Sequence, residues 1–215
     1  MVKGHIERLQ RWTLHEAERW RASAEEIARG AARLQRIVTN LITAVQVETG
    51  ELRLVVASTD LDELIRSVAR EGDGGSWPRP VTLSLAPARV RGDASRLKYV
   101  VRTLFDNACR FSPEGAEITV RLVVTNDRAR LSVTNRGPGI PKERWDKVFE
   151  RFGRAHAGSS VDRGGMGVEL YLSREIVQAH RGEIWFESSD DKTTFFVELP
   201  RREGADGEKD HPGHR

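Results

Sequence analysis

Ile27, Ala31, Leu34, Val38, Leu41 and Val45 place an apolar side chain alternately every four and three residues. That spacing is the a/d stripe of a helix that packs against another helix. Trp20 and Ala24 carry the stripe one heptad upstream, while Glu25, Arg33 and Arg36 fall off it. Residues 14–49 hold no proline and a single glycine, Gly30. A lone amphipathic helix cannot bury such a stripe, so the pattern predicts dimerisation or packing in a bundle. After Gly50 the texture changes. Residues 60–70 read as a short helix with Asp60 as N-cap and acids in its first turn. The stretch EGDGGSWPRP reads as loop, and residues 81–85 alternate like a half-buried strand. Asp93 is predicted to cap a helix running to about Phe111, with Leu97, Val100, Val101, Leu104, Phe105 and Ala108 inward. Strands are predicted over 118–124 and 129–134, joined by an Asn126-Asp127 turn. A glycine-rich passage leads to a helix over about 168–179, then strands over 184–187 and 194–199. The chain thus divides into a helical segment (1–49), an α/β domain (50–200) and a charged tail (201–215) read as disordered.

Composition narrows the class. With 38% hydrophobic and 31% charged residues in 215, a packed core is attainable. No apolar stretch approaches the ~20 residues a membrane-spanning helix needs, so no membrane contact by this chain is expected. The opening MVKGHIERLQ lacks the apolar centre of a secretory signal. Cys109, the one cysteine, cannot form an internal disulfide or a multi-cysteine zinc site and reads as a small core residue. A reducing compartment, the cytoplasm, is therefore expected. Lys and Arg (35) nearly balance Asp and Glu (32), and the basic residues are scattered. Trp12, Trp20, Trp77, Trp145 and Trp185 form no stacking platform, so no nucleic-acid partner is expected.

Four clusters carry candidate chemistry. Asn107-Ala-Cys-Arg-Phe111-Ser-Pro closes the long helix. An amide oxygen there can ligand Mg2+, which takes oxygen ligands and keeps waters and nucleotide phosphates in its shell. Arg110 can meet phosphate with its planar fork, and Phe111 offers a face to a purine; an ordinary helix end has the same look. Asn135-Arg-Gly137-Pro-Gly139-Ile-Pro141 follows a strand. Its glycines admit a ligand close to the backbone, and Asn135 can accept from an adenine amino group, although a plain turn fits equally. Val148-Phe-Glu-Arg-Phe152 precedes GRAHAGSSVDRG, a small and polar stretch suited to a lid hinged at Gly153 and Gly164. Gly164-Gly-Met-Gly167 opens a helix, whose leading N–H groups attract anions.

In this order the four clusters resemble the asparagine, first glycine, phenylalanine and second glycine boxes of the ATP-binding domain of sensor histidine kinases, within the GHKL ATPase superfamily. The helix at 25–49 and the following ETGELRLVVASTDLDELI resemble the second helix of that family's dimerisation domain and the joint after it. The resemblance implies a two-layer α/β sandwich, the Bergerat ATP-binding fold, with a mixed sheet and helices, preceded by the long amphipathic helix. It implies transfer of the γ-phosphoryl of ATP, with Mg2+, to a histidine and on to a response regulator. By motif position, Asn107 would be the Mg2+ ligand, Arg110 the phosphate contact and Phe111 a neighbour of adenine. Asn135, with Gly137, Gly139 and Ile140, would shape the adenine pocket. Phe149 and Phe152 would anchor the lid, and Gly165, Met166, Gly167 and Val168 would border the phosphates. Such catalysis is mostly positioning and charge neutralisation, so Asn107 and Arg110 are also the catalytic candidates.

Four positions depart from the family. Asn135 stands where an acidic residue is usual, and Thr103 where a second amide often precedes Asn107. Glu169 stands where the second glycine box has another glycine. Like charges ~4 Å apart cost about 4 kcal/mol at an effective dielectric near 20, whereas a first-turn carboxylate gains only ~0.3–1 kcal/mol. Glu169 is therefore expected to point away from phosphate; an inward carboxylate would impair the site. The phosphoacceptor motif is the fourth departure. His15, in Leu14-His-Glu16, lies only about ten residues before the second-helix pattern, too few for an antiparallel helix and turn. It reads as a surface histidine, His5 as weaker still, and His180 as packing or a cap. The main expectation is a histidine-kinase ATP-binding part acting on a histidine from another chain or a missing segment. Residues 20–48 would pair it, as homodimer or heterodimer, with a partner histidine-kinase chain, and a response regulator would follow. The alternative is a catalytically degenerate regulatory protein of the same type. A serine kinase of the anti-sigma type is disfavoured by the long helix and the phenylalanine box.

Overall fold

The computed structural model describes residues 37–71, 77–125, 127–153 and 167–201, with scattered positions of a helix between 19 and 35. Contacts divide the chain into two compact units, Met1–Val45 and Gln46–Arg215. All described residues from 19 to 48 are helical (α1), as the heptad stripe predicts. Trp20, Ile27, Leu34, Val38, Leu41 and Val45 stand exposed along it. The helix ends where the sequence divides: the Glu51 N–H donates to the Gln46 carbonyl at 2.8 Å and the Gly50 N–H to the Val47 carbonyl at 3.2 Å. This pair of bonds is the Schellman closure, with Gly50 at φ +68°.

The second unit is built on two facing apolar surfaces. Its elements are β1 (Ala57–Asp60), α2 (Leu61–Glu71), β2 (Val81–Leu85), β3 (Arg89–Gly92), α3 (Ala94–Phe111), β4 (Ile118–Val124), β5 (Arg128–Arg136), a 3-10 helix (Lys142–Lys147), α4 (Glu169–Ala179), β6 (Glu183–Ser189) and β7 (Lys192–Pro200). Five strands form one sheet in the order β2-β4-β5-β7-β6. The β2–β4 pair is parallel and the other pairs are antiparallel, so the sheet is mixed. Alternate residues Ile118, Val120, Leu122, Ala129, Leu131, Val133, Phe195, Val197 and Leu199 bury one sheet face. Against it lie Leu61, Ile65 and Val68 of α2, the predicted inner side of α3, and Ile176 and Val177 of α4. Each fully buried Val, Leu, Ile or Phe among them contributes about 1.5–3 kcal/mol. The result is a two-layer α/β sandwich with helices on one face.

Two strands were not visible in the sequence pattern. β1 and β3 are four-residue strands that pair with each other, antiparallel, with Asp60 opposite Arg89. Asp60 accordingly does not serve as the expected N-cap. Its carboxylate takes the Arg89 guanidinium at 2.8 Å, and Asp62 accepts the Ala88 N–H at 3.1 Å. Asp93, in contrast, does cap α3. It accepts from the Ser95 and Arg96 amides at 3.0 and 3.1 Å, from the Ser95 hydroxyl at 2.6 Å and from the Val55 amide at 2.9 Å. Burial disfavours the charged carboxylate, yet the bonds from Ser95, Val55 and Arg96 outweigh it and hold the carboxyl below its ordinary value.

His180 fixes how α3 and α4 lie. Its Nδ1–H donates to the Ile176 carbonyl at 2.8 Å, leaving Nε2 to accept the Asp93 N–H at 2.9 Å. The end of α4 is thus bonded to the start of α3, and the two helices pack together. They run antiparallel. At about 1.5 Å per residue, the eleven residues of α4 bring its opening alongside the second half of α3.

Candidate functional site

The predicted clusters meet at that end of the sandwich. Asn107, Arg110 and Phe111 are half-buried in the last turns of α3, which closes on Ser112. The Ser112 N–H and hydroxyl both bond the Ala108 carbonyl, at 3.1 and 2.8 Å. Directly beside this helix end runs the loop that leaves β5. A Cβ on Gly137 would sit 2.0 Å from the Phe111 carbonyl oxygen, so only glycine lets the backbone approach this closely. Two clusters 28 positions apart in sequence are thereby in contact.

Asn135, 3% exposed, is the β5 residue just before this loop, opposite Ile118 and Thr193. Its Nδ2 donates to the Arg136 carbonyl at 3.2 Å, an amide orientation assigned from that bond. The loop itself is held by the β6–β7 turn, which the sequence did not point to. The Gly137 and Gly139 amides donate to the Asp191 and Asp190 carbonyls at 2.9 and 3.2 Å. The Ile140 N–H donates to the Ser188 hydroxyl at 2.8 Å, and the Trp145 indole donates to the Ile140 carbonyl at 2.9 Å. Ser188, Asp190 and Asp191 lie about fifty residues downstream and have no spacing signal of their own.

Of the two phenylalanines expected to anchor the lid, Phe149 is the one that packs against the core. Phe149 packs against Phe195 edge-on at 6.3 Å and against Phe186 at 6.0 Å. Phe152 is 63% exposed, with the Arg151 guanidinium 4.8 Å from its ring centre. Its contribution is through the backbone. Phe152 itself adopts φ +60°. A Cβ on Gly167 (φ +70°) would fall 2.6 Å from the Gly153 carbonyl oxygen and 2.9 Å from the Phe152 carbonyl carbon. The chain therefore leaves at Gly153 and returns at Gly167 side by side. The lid, with Gly164, Gly165 and Met166, lies outside the described residues, as do His5, His15 and the tail after Arg201.

Gly167 leads into α4 through Val168, which is buried and supplies no side-chain cap to the helix. The cap comes from the next residue. Glu169 Oε2 accepts the Val168 N–H at 3.2 Å. Glu169 thus turns back to its own helix opening; an unsatisfied leading amide is a stronger attraction for a carboxylate than solvent on the helix flank. Thr103, one turn before Asn107, is buried on α3. Among the described residues no group of three or more His, Cys, Asp or Glu side chains is placed to hold a metal ion.

This geometry has known counterparts. The family of histidine kinase-, DNA gyrase B- and HSP90-like ATPases matches residues 92–203. The chain belongs to that family. It is similar to a bacteriophytochrome of Pseudomonas aeruginosa, 29% identical over 185 residues covering 85% of this chain and 25% of the relative. It is also similar to the probable sensor histidine kinase TcrY of Mycobacterium tuberculosis, 30% identical over 203 residues covering 93% of this chain and 42% of the relative. Among solved structures, the mycobacterial sensor histidine kinase MprB superposes with a TM-score of 0.61 at 28% identity, covering 69% of this chain and 99% of that one. The chain spans a quarter to under half the length of these curated relatives. Within the family, the second unit is an ATP-binding domain of the sensor histidine kinase type. Among the described residues, no helix is long and apolar enough to cross a membrane.

Proposed function

We propose that the second unit binds ATP with Mg2+ at the meeting point of α3, the β5 loop and the start of α4, and presents its γ-phosphoryl group to a histidine on a separate helix. The supporting observations are the contact between Phe111 and Gly137, which joins the first two clusters, and that between Gly153 and Gly167, which sets the end of the third beside the start of α4. Mg-ATP supplies the transferable phosphoryl group and a divalent charge that neutralises its neighbours. Asn107 offers the amide oxygen to the metal and Arg110 a planar donor fork to phosphate. Phe111 and Ile140 flank the adenine ring. Asn135, its amide nitrogen already bonded to Arg136, turns its oxygen to the adenine amino group. The exposed stripe of α1 pairs with a helix of a second copy or of a partner kinase chain, and a response regulator receives the phosphoryl group in the cytoplasm.

Isothermal titration of the full chain with ATP and Mg2+ tests this reading. Asn107→Asp is expected to weaken binding at least about tenfold, since the amide that would hold the metal is lost and a charge is set beside phosphate. ATP binding indifferent to that substitution would remove Asn107 from the site. With [γ-32P]ATP, the chain is expected to label a histidine-bearing helical partner rather than itself. A second reading, a regulatory domain with reduced catalysis, is favoured by one observation, the Glu169 carboxylate seated on the Val168 amide.

A further inference from the structure

Glu169 is the first residue of α4, and its carboxylate sits on the amide of Val168, the residue that opens the helix. The leading amides of a helix attract anions because they lack carbonyl partners and carry the positive end of the helix dipole. In this protein a side chain of the same helix has already taken that position. The backbone that carries it is also held. Gly167 is pressed against the Phe152–Gly153 backbone, Val168 is buried, and the Ser173 hydroxyl holds the Glu169 carbonyl at 2.8 Å.

We infer that the Glu169 carboxylate is a built-in competitor for the phosphate chain at the start of α4, so that the site discriminates against adenine nucleotides in proportion to the phosphate charge they carry. This rests on the nucleotide reading above. A polyphosphate reaching the helix opening has two courses. It displaces the carboxylate, which costs the Val168 hydrogen bond and restricts a freed side chain. Alternatively it binds beside the carboxylate and meets a like charge within a few ångströms. Adenosine, with no phosphate, meets neither cost. ADP meets part of it and ATP the whole. A divalent cation shields phosphate from carboxylate, so the discrimination is steepest in its absence.

The experiment is calorimetric titration of the full chain with adenosine, ADP and ATP, each with Mg2+ and with EDTA. The natural sequence is compared with Glu169→Gln and Glu169→Ala, the second a helix-favouring residue too short to reach the amide. Both variants are expected to bind ATP about tenfold tighter or more, ADP with a smaller gain, and adenosine within about twofold of the unsubstituted chain. A gain that grows with phosphate count is not produced by a change in packing, which would move all three ligands together. Equal shifts for the three ligands, no shift, or weaker ATP binding in both variants overturns the inference while leaving the nucleotide reading in place. Absence of binding by any of the three ligands to any of the three proteins overturns the nucleotide reading, and this inference with it.

Discussion

Two residues carry more of the site's geometry than their chemistry announces. Gly137 touches no ligand atom by its side chain, yet it sets the distance between the β5 loop and the end of α3. Gly137→Ala is expected to force that loop off the Phe111 carbonyl, costing about 1–3 kcal/mol of stability and weakening ATP binding; urea unfolding and calorimetry read the two effects. Asp93 joins the start of α3 to Val55 and, through its own amide, to His180 at the end of α4. Its folded carboxyl is held below the ordinary value of 3.8. Stability from the ionised form is therefore fully present above about that value and is lost as pH falls through the lower folded value. Asp93→Asn keeps a capping side chain but not the charge. Its stability deficit, measured by urea unfolding, is expected to be constant near neutrality and to shrink in acid below pH 3.8. A deficit independent of pH down to the acid transition would show that the carboxylate charge contributes nothing.

At the scale of elements, the sequence was informative where a single side of a helix or strand is buried by a long partner. The inner side of α3, its Asp93 cap, the alternation of β2 and the four strands of the sheet's main body all follow from local pattern and lie where it places them. β1 and β3 escaped because Ala-Ser-Thr-Asp and Arg-Val-Arg-Gly are short, polar and stabilised by each other across the 28 residues between them rather than by local propensity. The same long-range partner took Asp60 from its expected cap. Of the two motif phenylalanines, Phe149 faces Phe195 and Phe186 while Phe152 is exposed, a difference that motif position does not encode. Glu169 was seen as an anomaly, and its orientation depended on an amide one residue away. The α1 stripe needs a helical partner. Sedimentation of the full chain is expected to show a dimer, and Leu34→Glu with Leu41→Glu a monomer with unchanged ATP affinity. A monomeric parent chain at tens of micromolar would assign the stripe to a different partner chain.

For the whole molecule, the candidate site depends on tertiary convergence rather than on any single motif. The Asn107 and Asn135–Ile140 regions come together because the β6–β7 turn and the end of α3 both hold the loop after β5. The start of α4 joins them because His180 sets that helix antiparallel to α3. None of these three contacts is encoded in local spacing, although each of the clusters is. The family match covers residues 92–203, the region that contains all of them. Hydrogen exchange of the full chain with and without Mg-ATP reads this convergence directly, because each backbone segment reports separately. Slowed exchange is expected together in three segments: the last turns of α3 around Asn107–Phe111, the loop Asn135–Ile140, and the first turn of α4 from Val168. Protection of one of these segments without the other two, or of none, would contradict a shared nucleotide site.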